Sequence, residues 1–167
     1  MVRRRGTIVL AGAIMATMTL AAPALAQDLV WVSYENPRFG YRLEYPAALF
    51  GQPLASQNGD GFTLYSPDGR ARFFAFASNN VFGHDAESLA GQLATAADID
   101  RVTYRRVAGQ WLVLSGYLAT GDIFYERFEF NRDDSVISAF RLEFPATARD
   151  PYEAPIARIG RSLTPPP

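Results

Sequence analysis

The sequence predicts an α+β fold, an antiparallel β-sheet flanked by helices in an α/β/α sandwich. Short runs rich in aromatic and β-branched residues follow one another from Trp31 onward, and turn residues separate them. In the runs 73–76 and 111–114, apolar residues occupy both alternating sets, which indicates that both faces of those strands are covered. Trp111 is therefore expected in the core. Two stretches with helical periodicity can supply the covering layers.

The strands are expected at short intervals. Their predicted ranges are 41–45, 62–66, 71–78, 101–107, 111–118, 123–130 and 136–144. Hairpin turns are predicted at 67–70 and 108–110, and further turns at 121–122 and 131–134. Strands joined so closely must be antiparallel neighbours. The stretch from Gly51 to Gly61, which contains Pro53, Asn58-Gly59 and Asp60-Gly61, has the composition of an irregular loop.

Two helices are predicted. Asp85 can cap the first, whose apolar residues recur at helical spacing: Ala86, Leu89, Ala90, Leu93 and Ala97. The second begins near Asp150 with a capping-box pattern that ends at Glu153, and its apolar face consists of Tyr152, Ile156, Ile159 and Leu163. Pro155 leaves open a start at that residue instead. Residues 164–167 are expected to be disordered.

The composition excludes several chemistries. All 16 basic residues are arginine, and the chain has no cysteine and a single histidine, His84. Mechanisms that need a catalytic lysine, a nucleophilic thiol, a cysteine-ligated zinc ion or a disulfide are therefore excluded, and so is a three-histidine metal site. The sequence gives no reason to assign a cofactor.

The N-terminus has the pattern of a secretory signal. Arg3, Arg4 and Arg5 precede an uncharged, largely apolar run over 7–20, and residues 24–26 form an A-x-A cleavage site. The residues after Arg5 match the twin-arginine motif poorly, which favours the general secretory route. We expect a signal peptide at 1–26, a single domain at 27–163, and a periplasmic or secreted location.

Cleavage at this site changes the charge of the protein. Loss of the three signal arginines leaves 13 basic against 17 acidic residues, a net charge of −4. No basic stripe for nucleic acid is evident, and no later segment is long and apolar enough to span a bilayer. The partners expected are an envelope protein or ligand of unknown identity, with no nucleic acid and no membrane span after cleavage.

Several ionisable residues are candidates for a functional site. His84 lies beside Asp85 just ahead of the first helix, where a solvent-exposed loop histidine beside a helix cap is the simpler interpretation than a general base. The pairs Asp98/Asp100 and Asp133/Asp134 lack the glycine-punctuated loop and distal glutamate of a calcium site, and turn solvation explains them. No catalytic, cofactor-binding or metal-ligating residue is assigned.

Two larger groups have both a structural and a functional interpretation. The strands predicted at 123–130 and 136–144 carry charges of alternating sign: Glu126, Arg127, Glu129, Arg141 and Glu143. Cross-strand ion pairing on a partly open sheet face explains these charges. A carboxylate enzyme would require two of the carboxylates to line a cleft. The N-terminal aromatic residues either belong to the core or form a platform for a sugar or peptide: Tyr34, Phe39, Tyr41 and Tyr45.

Local phrases at 39–46, 60–62, 66–69, 111–116, 124–127 and 156–163 resemble those of small exported bacterial proteins in the PsbP-like superfamily. That superfamily groups the photosystem extrinsic protein PsbP with the Ran-binding Mog proteins. The likeness covers most of the stretch from Trp31 to Leu163 and consists of structural phrases, not a catalytic signature. The resemblance implies the α/β/α fold and a non-enzymatic accessory or binding role, while the photosystem and Ran partners are not carried over.

The function expected from these observations is that of an exported accessory or binding protein without catalytic activity, which contacts an envelope protein or another periplasmic component. The alternative is a hydrolase that depends on carboxylates, because His84 is the only other acid–base candidate near neutrality. Convergent carboxylates in a pocket would favour the hydrolase, and a flat apolar patch on the surface would favour the binding protein.

Export with cleavage after Ala26 is testable by mass spectrometry of the exported protein. The three-part signal predicts Gln27, free or cyclised, at the mature N-terminus. A mature chain that retains residues 7–20 would contradict this prediction.

Overall fold

Nine strands and two helices follow one another in residues 29–167, the part of the chain that the computed structural model describes. The predicted signal peptide and Gln27 lie outside the described residues. The strands are β1 Trp31–Glu35, β2 Arg42–Pro46, β3 Leu54–Ala55, β4 Gly61–Tyr65, β5 Arg72–Asn79, β6 Ile99–Ala108, β7 Trp111–Leu118, β8 Ile123–Phe130 and β9 Val136–Phe144. The helices are α1 Ala86–Leu93 and α2 Asp150–Ser162.

Seven strands form one antiparallel sheet in the order β3-β4-β5-β9-β8-β7-β6, and β1 and β2 form a separate hairpin. The hairpin turns predicted at 67–70 and 108–110 join β4 to β5 and β6 to β7. After β5 the chain passes through α1 and enters the opposite edge of the sheet as β6, so that β9 returns to pair with β5. The predicted fold class, an antiparallel sheet with flanking helices, is confirmed.

Helix α1 covers one face of the sheet. Its buried residues Ala86, Leu89 and Ala90 pack with apolar residues of the three C-terminal strands: Leu112, Leu114, Leu118, Phe124, Phe128, Phe130, Ile137 and Ala139. These sheet positions alternate along each strand, which places them on one face. We call this face the α1 face.

Helix α2 and the β1–β2 hairpin cover the other face, which we call the α2 face. Tyr41 and Leu43 from the hairpin and Ile159 from α2 are buried there against an aromatic set that includes Phe62, Phe73, Phe140 and Phe144. The aromatic rings contact one another in a chain, with Phe73 centred 5.7 Å from Phe140 and Phe144 centred 5.5 Å from Tyr152. Both faces of the central strands are therefore buried, as the apolar runs predict.

The first predicted helix is correct at its start and too long at its end. The Asp85 side chain accepts a hydrogen bond from Ser88 N–H at 2.7 Å, and the Ser88 hydroxyl bonds the Asp85 backbone in return, which completes a capping box. The helix ends at Leu93, before Ala97. The Thr95 hydroxyl donates to the carbonyl oxygen of Gln92, a local bond that competes with a further helical turn.

The second helix begins without the predicted capping box. Arg149 is the N-cap and offers no side-chain cap, and Glu153 pairs with Arg149 at 2.8 Å instead of bonding the backbone of Asp150. Pro155 lies buried inside the helix, so the helix does not start there. Pro155 is the sixth residue of the helix, and because it has no N–H, the carbonyl oxygen of Pro151 receives no helical hydrogen bond from it.

Two predicted irregular segments are ordered by backbone pairing. The loop from Gly51 to Gly61 contains the short strand β3, whose residues pair with Phe62 and Thr63 of β4. Thr164, in the tail expected to be disordered, exchanges two backbone hydrogen bonds of 2.9 Å with Arg42. The chain after α2 is thus fastened to the β1–β2 hairpin, which is a correction to the sequence-based expectation.

A glycine in β4 offers a test of the β4–β5 pairing. A Cβ atom on Gly61 would lie 1.9 Å from the carbonyl oxygen of Ala75, so we expect Gly61→Ala to lower the free energy of unfolding by about 1–3 kcal/mol or more. Gly91→Ala is the matched control, because Gly91 is exposed in α1 with open space around it, and alanine there should stabilise by up to about 1 kcal/mol. Equal urea unfolding curves for the two variants would contradict the pairing.

Candidate functional site

Among the described residues, the most exposed large apolar side chains lie on the loop between β5 and α1. Val81 is 77% exposed and Phe82 is 84% exposed. An exposed phenylalanine beside an exposed valine loses the free energy that burial would contribute. Adjacent exposed residues of this kind mark an interaction site more often than single ones do.

Asn80 holds this loop in one conformation. Its side-chain amide donates to the carbonyl oxygens of His84 and Asp134, both at 2.8 Å, and its Oδ1 accepts from His84 N–H at 2.9 Å. The backbone N–H of Asn80 also donates to Ser135 O at 2.8 Å. Gly83 completes the turn with a φ of +63°, a conformation that favours glycine. Val81 and Phe82 are therefore displayed on a braced turn.

An apolar groove of about 390 Å³ lies directly beside the loop. One wall is the loop itself, and α1 and the α1 face of the sheet supply the others: Phe76, Ser78, Asn79, Asn80, Val81, Phe82, His84, Leu89, Gln92, Leu93, Phe128 and Ile137. We call this feature the Phe82 groove. It combines a projecting aromatic side chain with a concave apolar surface, the arrangement that protein interfaces use for anchor residues.

His84 stands at the rim of the Phe82 groove. Its ring is centred 5.9 Å from the Phe82 ring, and its Nδ1 lies 3.4 Å from the Ser88 hydroxyl. The carboxylate of Asp85 caps α1 and does not orient the imidazole. The arrangement is not that of a general base with an orienting carboxylate, and His84 instead belongs to the wall of the groove.

The charged residues of β8 and β9 divide between the two faces of the sheet, whereas the sequence suggested one partly open face. Because side chains alternate along a strand, Glu126, Arg141 and Glu143 lie on the α1 face, and Arg127 and Glu129 lie on the α2 face. The two sets are separated by the sheet. They form two independent ion-pair groups.

Arg141 is the centre of the group on the α1 face. Its guanidinium lies 2.6 Å from Asp98 Oδ2, 3.5 Å from Glu126 Oε2 and 2.9 Å from Glu143 Oε1. The last contact is an ion pair without hydrogen-bond alignment at Nε. Arg72 forms a two-pronged pair with Glu143. Three carboxylates thus share two guanidinium groups, which leaves one negative charge in excess.

Glu126 is the buried member of this group, only 2% exposed. Burial raises the pKa of the Glu126 carboxyl to about 7, and the negative charges of Asp98 and Glu143 add to the rise while Arg141 opposes it. Its Oε1 has no hydrogen-bond partner among the described residues. The carboxyl therefore takes up a proton near neutrality and relieves the excess charge.

The raised pKa of Glu126 is typical of a catalytic acid, but its carboxyl is not accessible to a substrate. A general acid must come within hydrogen-bond distance of the reacting group. Glu126 lies beneath Arg141, whose guanidinium covers the Phe124 ring at 5.1 Å. The convergent carboxylates meet on an arginine and not on the wall of a cleft.

The group on the α2 face surrounds Trp111. The guanidinium of Arg127 lies 4.5 Å from the centre of the Trp111 ring, and that of Arg106 lies 5.3 Å from it. Arg127 also pairs with Glu129, whose pKa is raised by burial. Trp111, expected in the core, is only half-buried: it belongs to neither apolar core cluster, and the arginine side chains stack on it instead.

The aspartate pairs take structural roles. Asp133 Oδ1 accepts from the Ser135 hydroxyl at 2.6 Å and from its N–H at 3.1 Å, and these bonds lower the pKa of Asp133. Asp134 accepts from the Gln110 amide at 2.9 Å. Asp98 pairs with Arg141, while Asp100 is exposed on β6. Within residues 29–167, no three acidic or histidine side chains are grouped as metal ligands.

The N-terminal aromatic residues lie in the core and do not form a ligand platform. Tyr41 and Tyr45 are buried, and Tyr34 and Phe39 pack against the same cluster. The Tyr34 ring is centred 4.4 Å from the Phe62 ring, in the contact that closes the hairpin onto β4. These rings serve packing.

The Phe82 groove was not identified from the sequence. The segment 79–83 reads Asn-Asn-Val-Phe-Gly, and its two apolar residues between turn formers are the only local signal. Their exposure depends on the distant corner at 134–135, which holds Asn80.

No helix among the described residues is long and apolar enough to cross a membrane.

Comparison with solved structures identifies the same fold in cyanobacterial PsbP (CyanoP) from Synechocystis sp. PCC 6803. Its solution structure matches with a TM-score of 0.62, over 87% of this chain and 98% of that chain, at 10% sequence identity. No protein-family model matches this chain, and no curated protein matches it in sequence. The PsbP-like fold predicted from the local phrases is confirmed, and at this identity the likeness concerns the fold alone.

The pKa of Glu126 predicts how stability depends on pH. Because the folded-state pKa of about 7 exceeds the ordinary value of 4.5, the folded protein holds a proton that the unfolded chain releases, and stability falls as pH rises from about 4.5 to 7. Glu126→Gln removes this loss. Relative to wild type it should gain on the order of 3 kcal/mol between pH 4 and pH 8.

Urea unfolding across that pH range measures the effect, with Glu35→Gln as the control. Glu35 pairs with Arg42 on an exposed strand, where the loss of a surface pair changes stability by less than about 1 kcal/mol. Parallel pH profiles for wild type and Glu126→Gln would contradict the assignment of a raised pKa to this buried carboxyl.

Proposed function

We propose that the protein is an exported, non-catalytic accessory domain that binds a protein of the cell envelope or another periplasmic component through the Phe82 groove. The observation that carries the proposal is the display of Val81 and Phe82, 77% and 84% exposed, on a braced loop beside an apolar groove. The predicted signal peptide supports the location. Mass spectrometry of the N-terminus tests the location independently of the binding surface.

The energetics of the loop favour a binding role. Full burial of a phenylalanine side chain contributes about 1.5–3 kcal/mol, enough for an anchor residue at an interface. Since Asn80 already holds the loop, little conformational entropy is lost when a partner covers it. The groove beside Phe82 accepts an apolar side chain from the partner in return.

The hydrolase alternative has one observation in its favour, the raised pKa of Glu126. Its burial beneath Arg141 weighs against contact with a substrate. The same burial accounts for the pKa without any catalytic role. We therefore retain the binding function as the proposal.

The role of Phe82 can be tested by affinity capture from the native envelope extract with quantitative mass spectrometry. We expect the Val81→Ser/Phe82→Ser variant to lose its specific partners by at least tenfold, because the apolar anchors are gone. Leu54→Ser is the matched control, since Leu54 is 58% exposed on the edge strand β3 and does not line the Phe82 groove. An identical set of captured proteins for all three forms would contradict the proposal.

The bracing role of Asn80 provides a second test on the same surface. Asn80→Ala removes three side-chain hydrogen bonds and leaves Phe82 in place, so partner binding should weaken although the anchor remains. Thermal unfolding of the variant verifies that the domain is still folded. Undiminished capture by folded Asn80→Ala would show that a preformed loop is not required.

A further inference from the structure

Strand β6 is the long free edge of the sheet. It is ten residues long, about 33 Å at the usual rise of a strand, and it is the last strand in the sheet order. Within the described part of the chain, β6 pairs only with β7, so its outer main-chain groups face away from the sheet. The strand at the other edge, β3, has two residues. An extended free edge is a template for one more strand.

Only the first half of β6 is irregular enough to hinder pairing with a further strand. Register shifts between Ile99 and Arg101 and between Val102 and Tyr104 bend the first half of β6. From Tyr104 to Ala108 the pairing with β7 continues without interruption over five residues. The second half of β6 is therefore regular on its inner side and open on its outer side.

The side chains along β6 are basic on the α2 face. Arg101 and Arg106 lie on that face on either side of Tyr104, which is 49% exposed. Neither arginine forms an ion pair with a carboxylate of residues 29–167, in contrast to Arg105, which pairs with Glu87 of α1 on the other face. The edge thus carries unneutralised positive charge in a domain whose net charge is expected to be negative.

The two unpaired guanidinium groups are held by aromatic rings of β7. Arg101 lies 4.4 Å from the centre of the Tyr117 ring, and Arg106 lies 5.3 Å from the centre of the Trp111 ring. Stacking of this kind holds a guanidinium in place while its N–H groups remain available to a carboxylate. Binding an anion here costs less side-chain entropy than binding to a free arginine.

We propose that β6 takes an extended acidic segment of a partner protein as an eighth strand of the sheet. Main-chain hydrogen bonds to the outer edge supply affinity, and carboxylates at alternate positions of the added strand meet Arg101 and Arg106. The opposite charge of edge and segment selects an acidic sequence over a basic one. This surface lies apart from the Phe82 groove, and the proposal is independent of the function proposed there.

The probe for this site is a synthetic eight-residue peptide of alternating Thr and Glu, capped at both ends. Titration of the purified protein, followed by amide chemical shifts, should give saturable changes along β6, with affinity that falls as the salt concentration rises. The Thr-Gln peptide of the same length and the Thr-Glu peptide N-methylated at every residue should each bind at least fivefold more weakly. The first lacks the carboxylates and the second lacks main-chain donors.

Matched variants separate the edge from general electrostatics. Arg101→Gln/Arg106→Gln should weaken the Thr-Glu peptide at least fivefold, and Arg38→Gln, near the opposite edge, should leave it unchanged. Equal binding of the N-methylated peptide, equal binding by the double variant, or shifts confined to residues away from β6 and β7 would each overturn the proposal. Concentration-dependent shifts of β6 without peptide would also overturn it, because a second copy of the chain would then occupy the edge.

Discussion

The structure depends on one constraint, that a seven-stranded sheet must be covered on both faces by two short helices. Helix α1 has eight residues and is about 12 Å long, whereas the sheet is about 29 Å across from its first strand to its last. The hairpin β1–β2 adds cover on the α2 face only. Side chains of the sheet itself must therefore cover the remaining area, and arginines stacked on aromatic rings do so on both faces.

This constraint explains why a chain without lysine is suited to the fold. Seven arginines of the described region stack on aromatic rings, among them Arg141 on Phe124 and Arg127 on Trp111. A planar guanidinium can lie on a ring and bind carboxylates at its rim, which a compact ammonium group does less well. Arg141 does both, and the carboxylate of Glu126 is buried as a result. The perturbed pKa of Glu126 follows from how the sheet is covered.

Local patterns predicted the elements of this fold well, and long-range contacts decided what they missed. The ranges of β7, β8 and β9 agree with the predicted ranges, because alternation and turn residues are encoded within each strand. The order of the strands depends on where α1 delivers β6, and no local signal specifies that position. The same limit applies to the sites. Phe82 is exposed because Asn80 bonds a corner about 54 residues away, and Trp111 is half-buried under arginines that come from the neighbouring strands β6 and β8.

The limits of the covering layers also determine where a partner can bind. On the α1 face, the carboxylates of the Arg141 group are paired with guanidinium groups, and the proton that Glu126 takes up relieves the excess negative charge. Beside α1, along Leu89, Gln92 and Leu93, the cover ends in the Phe82 groove, where apolar surface is exposed. At β6 the sheet itself ends, and the surplus there is main-chain hydrogen-bonding capacity and positive charge. The two surfaces therefore suit partners of different chemistry. The Phe82 groove suits apolar side chains, and the β6 edge suits a negatively charged strand.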